Sequence, residues 1–179
     1  LLILLCLPFI GFGQQTYVPD NNFEAYLEAN GMGNGIANDD SVTTANINTV
    51  TFLVVNSNGI FNLTGIEDFT ALTSLYCSSN GLTSLDISQN TTLSTLSCDA
   101  NQLTSLDVST NTALTILYCS GNGLTSLDVS NNTALTFLSS NQNQLTSLDV
   151  SNNPFLEELG CSMNQITNLD VTQNTNLLN

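Results

Sequence analysis

The larger part of the chain repeats one arrangement of apolar and polar positions every 21 residues. The copy beginning at Leu114 reads LTILYCSGNGLTSLDVSNNTA, and its apolar positions follow the pattern L-x-x-L-x-C-x-x-x-x-L-x-x-L-x-V. A fixed period of this length predicts a stacked solenoid, because one unit is too small to bury its apolar face alone. Further copies begin in the same phase at Leu72, Leu93, Leu135, Leu156 and, cut short, Leu177.

Each copy predicts one β-strand and one further extended arm. Leu117 and Cys119 are expected to point inward, in alternation with outward Ile116 and Tyr118, as in a strand with one face inside and one outside. The segment TSLDVS predicts a second extended arm, so the coils should contain little helix. An earlier copy of 22 residues begins at Val50 and includes LTGIEDFTAL. Parallel strands are therefore expected to centre on Leu53–Val55, Leu75–Cys77, Leu96–Cys98, Leu117–Cys119, Leu138–Ser140 and Leu159–Cys161.

The residues before the repeats predict a short cap with one helix. Apolar side chains spaced i, i+3 and i+4 indicate a helix over about residues 21–29. Asp20 can cap its start and Gly31 can end it. The following residues, 33–50, are rich in glycine and asparagine and predict a turn-rich loop, without the spacing of an EF-hand.

Residues 1–14 predict a secretory signal peptide. The run LLILLCLPFIGFG is shorter than the roughly 20 residues that span a bilayer, and it gives way abruptly to polar residues. The usual basic start is missing, so we expect the natural N-terminus to lie upstream. A lipid anchor on Cys6 is disfavoured, because Leu5 precedes it where a small residue is expected. The chain is thus divided into this signal peptide, a cap at 15–49 and repeats at 50–179.

The string LTILYCSGNGL resembles the leucine-rich repeat signature L-x-x-L-x-L-x-x-N-x-L, with cysteine in the third apolar position. The resemblance extends from Val50 to Asn179 and implies a right-handed leucine-rich repeat solenoid with a short helical N-terminal cap. The copy containing GIEDFTAL looks like internalin repeats. The LTSLDVS form resembles secreted repeat proteins of Gram-negative bacteria, many of which carry a type IX secretion sorting domain. The resemblance therefore implies a secreted or cell-surface binding module.

Two columns of asparagine accompany the leucines. In leucine-rich repeats the inward asparagine after the strand hydrogen-bonds backbone groups at the turn, which avoids burying an unpaired amide. The resemblance assigns this structural ladder to Asn80, Asn101, Asn122, Asn143 and Asn164. A second column is expected to act in the same way at the other turn, and consists of Asn90, Asn111, Asn132, Asn153 and Asn174.

Four cysteines occupy one position of the repeat: Cys77, Cys98, Cys119 and Cys161. Disulfides are the usual expectation for such a set in an exported protein. Equivalent side chains on parallel strands lie about 4.8 Å apart and point the same way, whereas a disulfide needs Cβ atoms about 3.8 Å apart. We therefore expect buried, unpaired thiols rather than disulfides or a zinc site. Ser140 fills the remaining position.

The charge balance of the chain excludes several classes of partner and of catalysis. The chain has 15 acidic residues and no lysine, arginine or histidine, which gives a formal charge of −15. Without basic groups it cannot neutralise phosphates, so nucleic acids and anionic membrane surfaces are poor partners. Acid–base and electrophilic catalysis would also lack their usual groups. The sequence therefore predicts no enzyme activity and no cofactor.

Five aspartates form one outward column: Asp86, Asp107, Asp128, Asp149 and Asp170. Carboxylates one coil apart repel each other by about 0.8 kcal/mol in water. Nearby hydroxyl and backbone N–H groups are expected to hold them. Calcium is the alternative, because rows of oxygen ligands suit Ca²⁺.

The outward residues of the strands vary between copies. The other outward face repeats Ser, Asp and Ser at alternate positions, as in Ser126, Asp128 and Ser130. A varied face with aromatic residues is typical of an interface, and the alternative is drift of the repeats without function. Such an interface would suit a neutral glycan or a basic or apolar protein surface. The alternatives are a structural or adhesive spacer and the substrate-binding part of a secreted enzyme, and the oligomeric state is open. The predicted ligand contacts are Tyr76, Ile116, Tyr118 and Phe137, edged by Asp99 and Asn141.

Overall fold

The cap combines a two-stranded antiparallel sheet with two helices in the computed structural model, which describes residues 13–178. The predicted signal peptide lies outside the described residues, apart from Gly13 and Gln14. In the described part of the chain, no helix is both long enough and apolar enough to cross a membrane. In chain order the cap contains β1 (Gln15–Tyr17), α1 (Asn21–Ala29), β2 (Ser41–Thr43) and α2 (Thr44–Ile47).

Helix α1 has the predicted bounds and is joined to the repeats through its N-cap. One oxygen of Asp20 accepts the backbone N–H groups of Asn22 and Phe23, each at 3.0 Å. The other oxygen accepts the N–H groups of Phe61 and Asn62 at 2.7 and 3.0 Å. An N-cap of this kind contributes about 1 kcal/mol to a helix. Here the same carboxylate also fixes the helix against the first coil.

The prediction of a turn-rich loop without regular structure over 33–50 is wrong, because β2 and α2 lie within it. β1 and β2 pair antiparallel, with Thr16 opposite Val42. Thr16 is buried, and its hydroxyl lies 2.8 Å from that of Thr44 and 2.6 Å from an oxygen of Asp68. Strands of three residues are too short to show an alternating pattern, so tertiary contacts determine this hairpin.

The repeats form one six-stranded parallel sheet in which each strand pairs with the strand of the next coil. A 3₁₀-helix, Ile66–Asp68, follows the first of these strands. Successive strands pair without slippage, so that Leu75, Leu96 and Leu117 are in register. The strands are β3 (Phe52–Val54), β4 (Ser74–Tyr76), β5 (Thr95–Ser97), β6 (Ile116–Tyr118), β7 (Phe137–Ser139) and β8 (Glu158–Gly160).

Each strand begins and ends one residue earlier than the sequence predicts. Backbone hydrogen bonding nevertheless continues through the cysteine position: the N–H of Cys77 donates to the carbonyl of Ser97 at 2.7 Å. The N–H of Cys98 likewise donates to the carbonyl of Tyr118 at 2.9 Å. The predicted segments are therefore part of the same parallel ladder, although the strand proper is the preceding triplet.

The core consists of stacked columns of leucine, closed on the far side by valine or isoleucine. Leu75, Leu96, Leu117 and Leu138 are fully buried. Burying a side chain of this size contributes about 1.5–3 kcal/mol, so the column is a major source of stability. Leu159, in the last coil, is only partly buried because the described residues contain no coil stacked on it.

The far side of the coils contains little helix, as predicted. Residues 72–178 contain no helix, and the Ser-Leu-Asp segments of neighbouring coils share no backbone hydrogen bonds within the described residues. Val108 and Val129 are buried from this side. The segment is therefore an irregular arm that packs by its valines, and it does not form a second sheet.

Candidate interaction face

The asparagines after the strands hold the turn through both ends of the amide. Nδ2 of Asn101 donates to the carbonyls of Cys77, Cys98 and Asp99 at 3.1, 3.0 and 3.2 Å. Its Oδ1 accepts the N–H of Leu82 at 3.1 Å. The same arrangement occurs at Asn80, Asn122, Asn143 and Asn164. These residues join neighbouring coils and fix where each strand ends.

The second asparagine column differs at the oxygen. Nδ2 of Asn111 donates to the carbonyls of Ile87 and Asn90 at 3.0 and 2.9 Å. Its Oδ1 is buried without a hydrogen-bond partner in the described residues. Oxygens in this state also occur at Asn90, Asn132, Asn153 and Asn174. At the far turn, the asparagine side chain therefore acts through its N–H groups alone.

The cysteine column lies directly beneath the exposed strand face. Cys77, Cys98 and Cys119 are fully buried and form no disulfide. Burial, with a smaller contribution from the charge of Asp99, raises the pKa of the Cys77 and Cys119 thiols to about 12. The prediction of full burial is wrong for Cys161, which is half-buried because no described coil covers it.

The aspartates of the far face are exposed and each closes a local turn. The carboxylate of Asp128 accepts the N–H of Ser130 at 2.9 Å, and the equivalent bond forms at Asp86, Asp107, Asp149 and Asp170. Side-chain and backbone hydrogen bonds from Ser130 lower the pKa of Asp128. Among residues 13–178, no group of three or more His, Cys, Asp or Glu is arranged to hold a metal ion. Calcium on this column stays a prediction.

On the strand face, the structure brings Ile116, Tyr118 and Phe137 together. Ile116 of β6 is in register with Phe137 of β7. The ring centroids of Tyr118 and Phe137 lie 4.6 Å apart, with the planes tilted by 41°. All three side chains are partly exposed. The predicted patch is therefore contiguous and includes one aromatic pair.

A second aromatic pair was not predicted. Phe52 of β3 is 60% exposed, and its ring lies 5.4 Å from that of Tyr76 on β4. Phe52 is in register with Ser74, so counting back 22 residues from Ser74 would have placed it on the strand face. The degenerate first repeat, which lacks the cysteine and the LDVS segment, concealed this signal.

A row of polar side chains connects the coils at the ends of the strands. Oδ1 of Asp99 accepts the N–H of Ser120 at 2.6 Å, and Oδ1 of Asn141 accepts the N–H of Ser162 at 2.8 Å. The hydroxyl of Ser120 lies 2.8 Å from that of Ser139. Asp99 is partly buried, and burial raises its pKa, although the bond from Ser120 opposes this shift. The polar edge of the patch is thus ordered before any ligand binds.

No protein-family model matches the chain. Over 75 residues, or 42% of its length, the chain is 44% identical to internalin J of Listeria monocytogenes, of which it spans 8%. It also resembles the solved functional domain of internalin J, which includes a cysteine ladder. That match has 44% identity and a TM-score of 0.84, and covers 92% of this chain and 37% of the domain.

Two further solved structures share the fold. A leucine-rich repeat protein of Leptospira interrogans has 29% identity and a TM-score of 0.62, over 66% of this chain and 33% of that protein. Internalin InlF of Listeria monocytogenes has 22% identity and a TM-score of 0.69, over 75% of this chain and 48% of that protein. The chain spans less than half of each of these relatives. The leucine-rich repeat solenoid is shared with all of them, and the cysteine column has its counterpart in the cysteine ladder of the internalin J domain.

Proposed function

We propose that this internalin-like bacterial leucine-rich repeat solenoid binds another protein through its strand face. The observation that carries the proposal is the pair of partly exposed aromatic contacts, Phe52 with Tyr76 and Tyr118 with Phe137, on one face. Aromatic side chains in a contiguous patch are the usual anchors of protein interfaces. The similarity to internalins supports a binding module rather than an enzyme.

The far face offers no comparable anchor. It presents Ser-Asp-Ser in four successive coils, and each aspartate is committed to a turn. A surface that repeats identically along the solenoid provides little discrimination between partners. The strand face, in contrast, changes in every coil and combines apolar centres with a polar edge.

The charge of the chain defines the kind of partner. With a formal charge of −15 and no basic residue, the protein would repel acidic surfaces. A protein with a basic and apolar surface fits both the charge and the aromatic anchors. The apolar run at residues 1–14 supports export, so we place this interaction outside the bacterial cytoplasm.

The test compares wild-type protein with two variants on arrays of purified extracellular proteins and of neutral glycans. Tyr118→Ala combined with Phe137→Ser removes one aromatic pair, and Asp128→Asn alters only the far face. We expect saturable binding to a protein that the double variant loses and that Asp128→Asn retains. Circular dichroism and thermal melting should show that both variants fold.

Three outcomes would contradict the proposal. Loss of protein binding in Asp128→Asn alone would place the interface on the far face. Binding to glycans alone, lost in the double variant, would support the neutral-glycan alternative, for which the tyrosine rings would be the stacking platforms. Absence of binding on both arrays would favour the structural spacer.

A further inference from the structure

The two aromatic pairs stand on either side of one coil, that of β5. Tyr76, Ser97 and Tyr118 are in register on successive strands. Neighbouring strands are about 4.8 Å apart, so the two tyrosines are separated by roughly 9.6 Å at the backbone. Ser97, between them, is small and only 8% exposed. A short side chain flanked by two large ones gives a slot across the face.

Each tyrosine is supported on the side away from this slot. Phe52 lies one coil before Tyr76, and its ring centroid is 5.4 Å from that of the tyrosine. Phe137 lies one coil after Tyr118, and their centroids are 4.6 Å apart. The phenylalanines therefore occupy the outer sides, and the space above β5 is bordered by tyrosine on both sides. With rings spaced like their backbones, roughly 9.6 Å apart, a cation midway would be about 5 Å from either ring, within the roughly 6 Å reach of a cation–π contact.

A carboxylate closes one end of the slot. Asp99 follows Ser97 by two residues, so its side chain points to the same face. One of its oxygens accepts the N–H of Ser120 at 2.6 Å, which fixes the group in place. The chain has no lysine, arginine or histidine, so no side chain of its own can pair with this charge. Partial burial already raises the pKa of Asp99, and an approaching cation would reverse that shift.

We propose that this slot, bordered by Tyr76 and Tyr118 and closed by Asp99, binds an arginine side chain of the protein partner. The inference rests on the proposed function and names the group that the strand face recognises. Arginine fits better than lysine, because its flat guanidinium can stack on aromatic rings while its N–H groups reach a carboxylate. The charge of −15 favours a basic ligand at long range as well.

The next two coils show why only one such slot exists on the described face. Ser139 is flanked by Tyr118 on one side but by Gly160 on the other. The residue equivalent to Asp99 is Asn141, which makes the same type of hydrogen bond to the next coil without a charge. The second site thus lacks one wall and the carboxylate at the end of the slot, and the nearest acidic group is Glu158, beside Phe137. It serves as an internal control.

The experiment titrates the protein with the capped tripeptide Gly-Arg-Gly and follows backbone amides by NMR. Capped Gly-Lys-Gly and a peptide with citrulline, the uncharged analogue of arginine, are the comparison probes. We expect saturable shifts centred on Ser97, Asp99 and Ser120, weaker binding of the lysine peptide and no saturation with citrulline. Asp99→Asn should weaken arginine binding about fivefold, as loss of a partly exposed ion pair does.

Matched variants separate the slot from general charge attraction. Asp99→Asn should fold normally, because Asn141 makes the equivalent bond in the same chain. Asp128→Asn removes the same charge from the far face and should leave arginine binding unchanged. Asn141→Asp places a carboxylate beside an incomplete wall and should not create a second arginine site.

Several results would overturn the inference. Equal binding of citrulline and arginine peptides, equal losses in Asp99→Asn and Asp128→Asn, or shifts confined to the far face would each do so. If the array experiment finds a protein bound through the strand face while the arginine peptide fails, the proposed function stands and the slot does not. If the peptide binds but no protein partner is found on the array, the slot binds arginine and the proposed function is not supported.

Discussion

On the strand face, one position changes from Tyr76 to Ser97 to Tyr118, whereas the far face has aspartate at one position in five successive coils. The difference follows from what the backbone requires. Each aspartate accepts an N–H two residues ahead and closes a turn, so its position is constrained by folding. The side chains of the tyrosine column close no turn and are free to differ. Constancy on this solenoid therefore marks structure, and variation marks the surface available for recognition.

The largest expected contrast is in thiol reactivity, because the cysteines lie directly beneath the strand face. Buried Cys98, whose pKa is raised well above its ordinary value mainly by burial, should react only when the coil opens. Half-buried Cys161 should react in the native state. We expect its modification to be at least about 10³-fold faster, since opening the core costs several kcal/mol.

Peptide mass spectrometry after brief treatment with a maleimide measures this contrast. Ser140→Cys is the control, because Ser140 is fully buried in the same column and a cysteine there should be as protected as Cys98. Similar modification rates at Cys98 and Cys161 would show that the sheet opens readily. In that case the strand face would not be the rigid surface that the proposed interface needs.

The next contrast concerns the two turns that connect the faces. Asn101→Ala leaves a buried N–H and several carbonyls without their amide partner and should cost about 3 kcal/mol. Asn111→Ala likewise leaves carbonyls without their partner, but it also removes a buried oxygen that makes no hydrogen bond. Its cost in unfolding free energy should therefore be about 1 kcal/mol smaller than that of Asn101→Ala. Urea unfolding followed by circular dichroism measures both. Exposed Gln102→Ala is the control, and a larger loss at Asn111 would contradict the argument.

Much of the solenoid was predictable from the sequence, because the 21-residue period places the leucines that form the core. Leu117 and its equivalents repeat in phase, and the helix at 21–29 carried clear start and stop residues. The hairpin of β1 and β2 was not predictable, since Thr16 is determined by contacts with Thr44 and Asp68, which are distant in the sequence. The patch around Tyr118 followed from alternation.

The slot between Tyr76 and Tyr118 could not be predicted from the sequence. Alternation places Tyr76 and Tyr118 on one face, but it does not show on which side each ring is supported. That information depends on the contacts with Phe52 and Phe137, and Phe52 lies in a degenerate repeat. The burial of Ser97 between two larger side chains is likewise a property of the register rather than of the local sequence.

A smaller effect is expected from acid. Hydrogen bonds from Ser109 and Ser130 lower the pKa values of Asp107 and Asp128 below the ordinary 3.8. A carboxylate with a lowered folded-state pKa stabilises the fold above its unfolded pKa and loses that contribution as the pH falls through the folded value. Stability should therefore decline below pH 3.8.

Changing Asp107, Asp128 and Asp149 together to Asn should flatten this decline, because asparagine can accept the same turn hydrogen bonds without titrating. Asp99→Asn should make the decline steeper. The raised pKa of Asp99 means that the wild-type protein gains stability as this group is protonated, and the variant lacks that gain. Thermal melting between pH 2.5 and 6 measures both variants. Identical profiles for the triple variant and wild type would show that the far-face turns do not depend on ionisation.

The smallest expected effect concerns calcium on the far face. Without ligand, the five aspartates repel one another weakly, and any cation reduces this repulsion by screening. If Ca²⁺ bridges successive aspartates, millimolar CaCl₂ should raise the melting temperature more than NaCl of equal ionic strength, and the triple asparagine variant should lose this excess. If the two salts act equally, the column is only screened, and the far face is a constant structural surface. A calcium-specific rise that survives in the triple variant but disappears in Asp99→Asn would move the cation to the strand face, where it would compete with the proposed arginine.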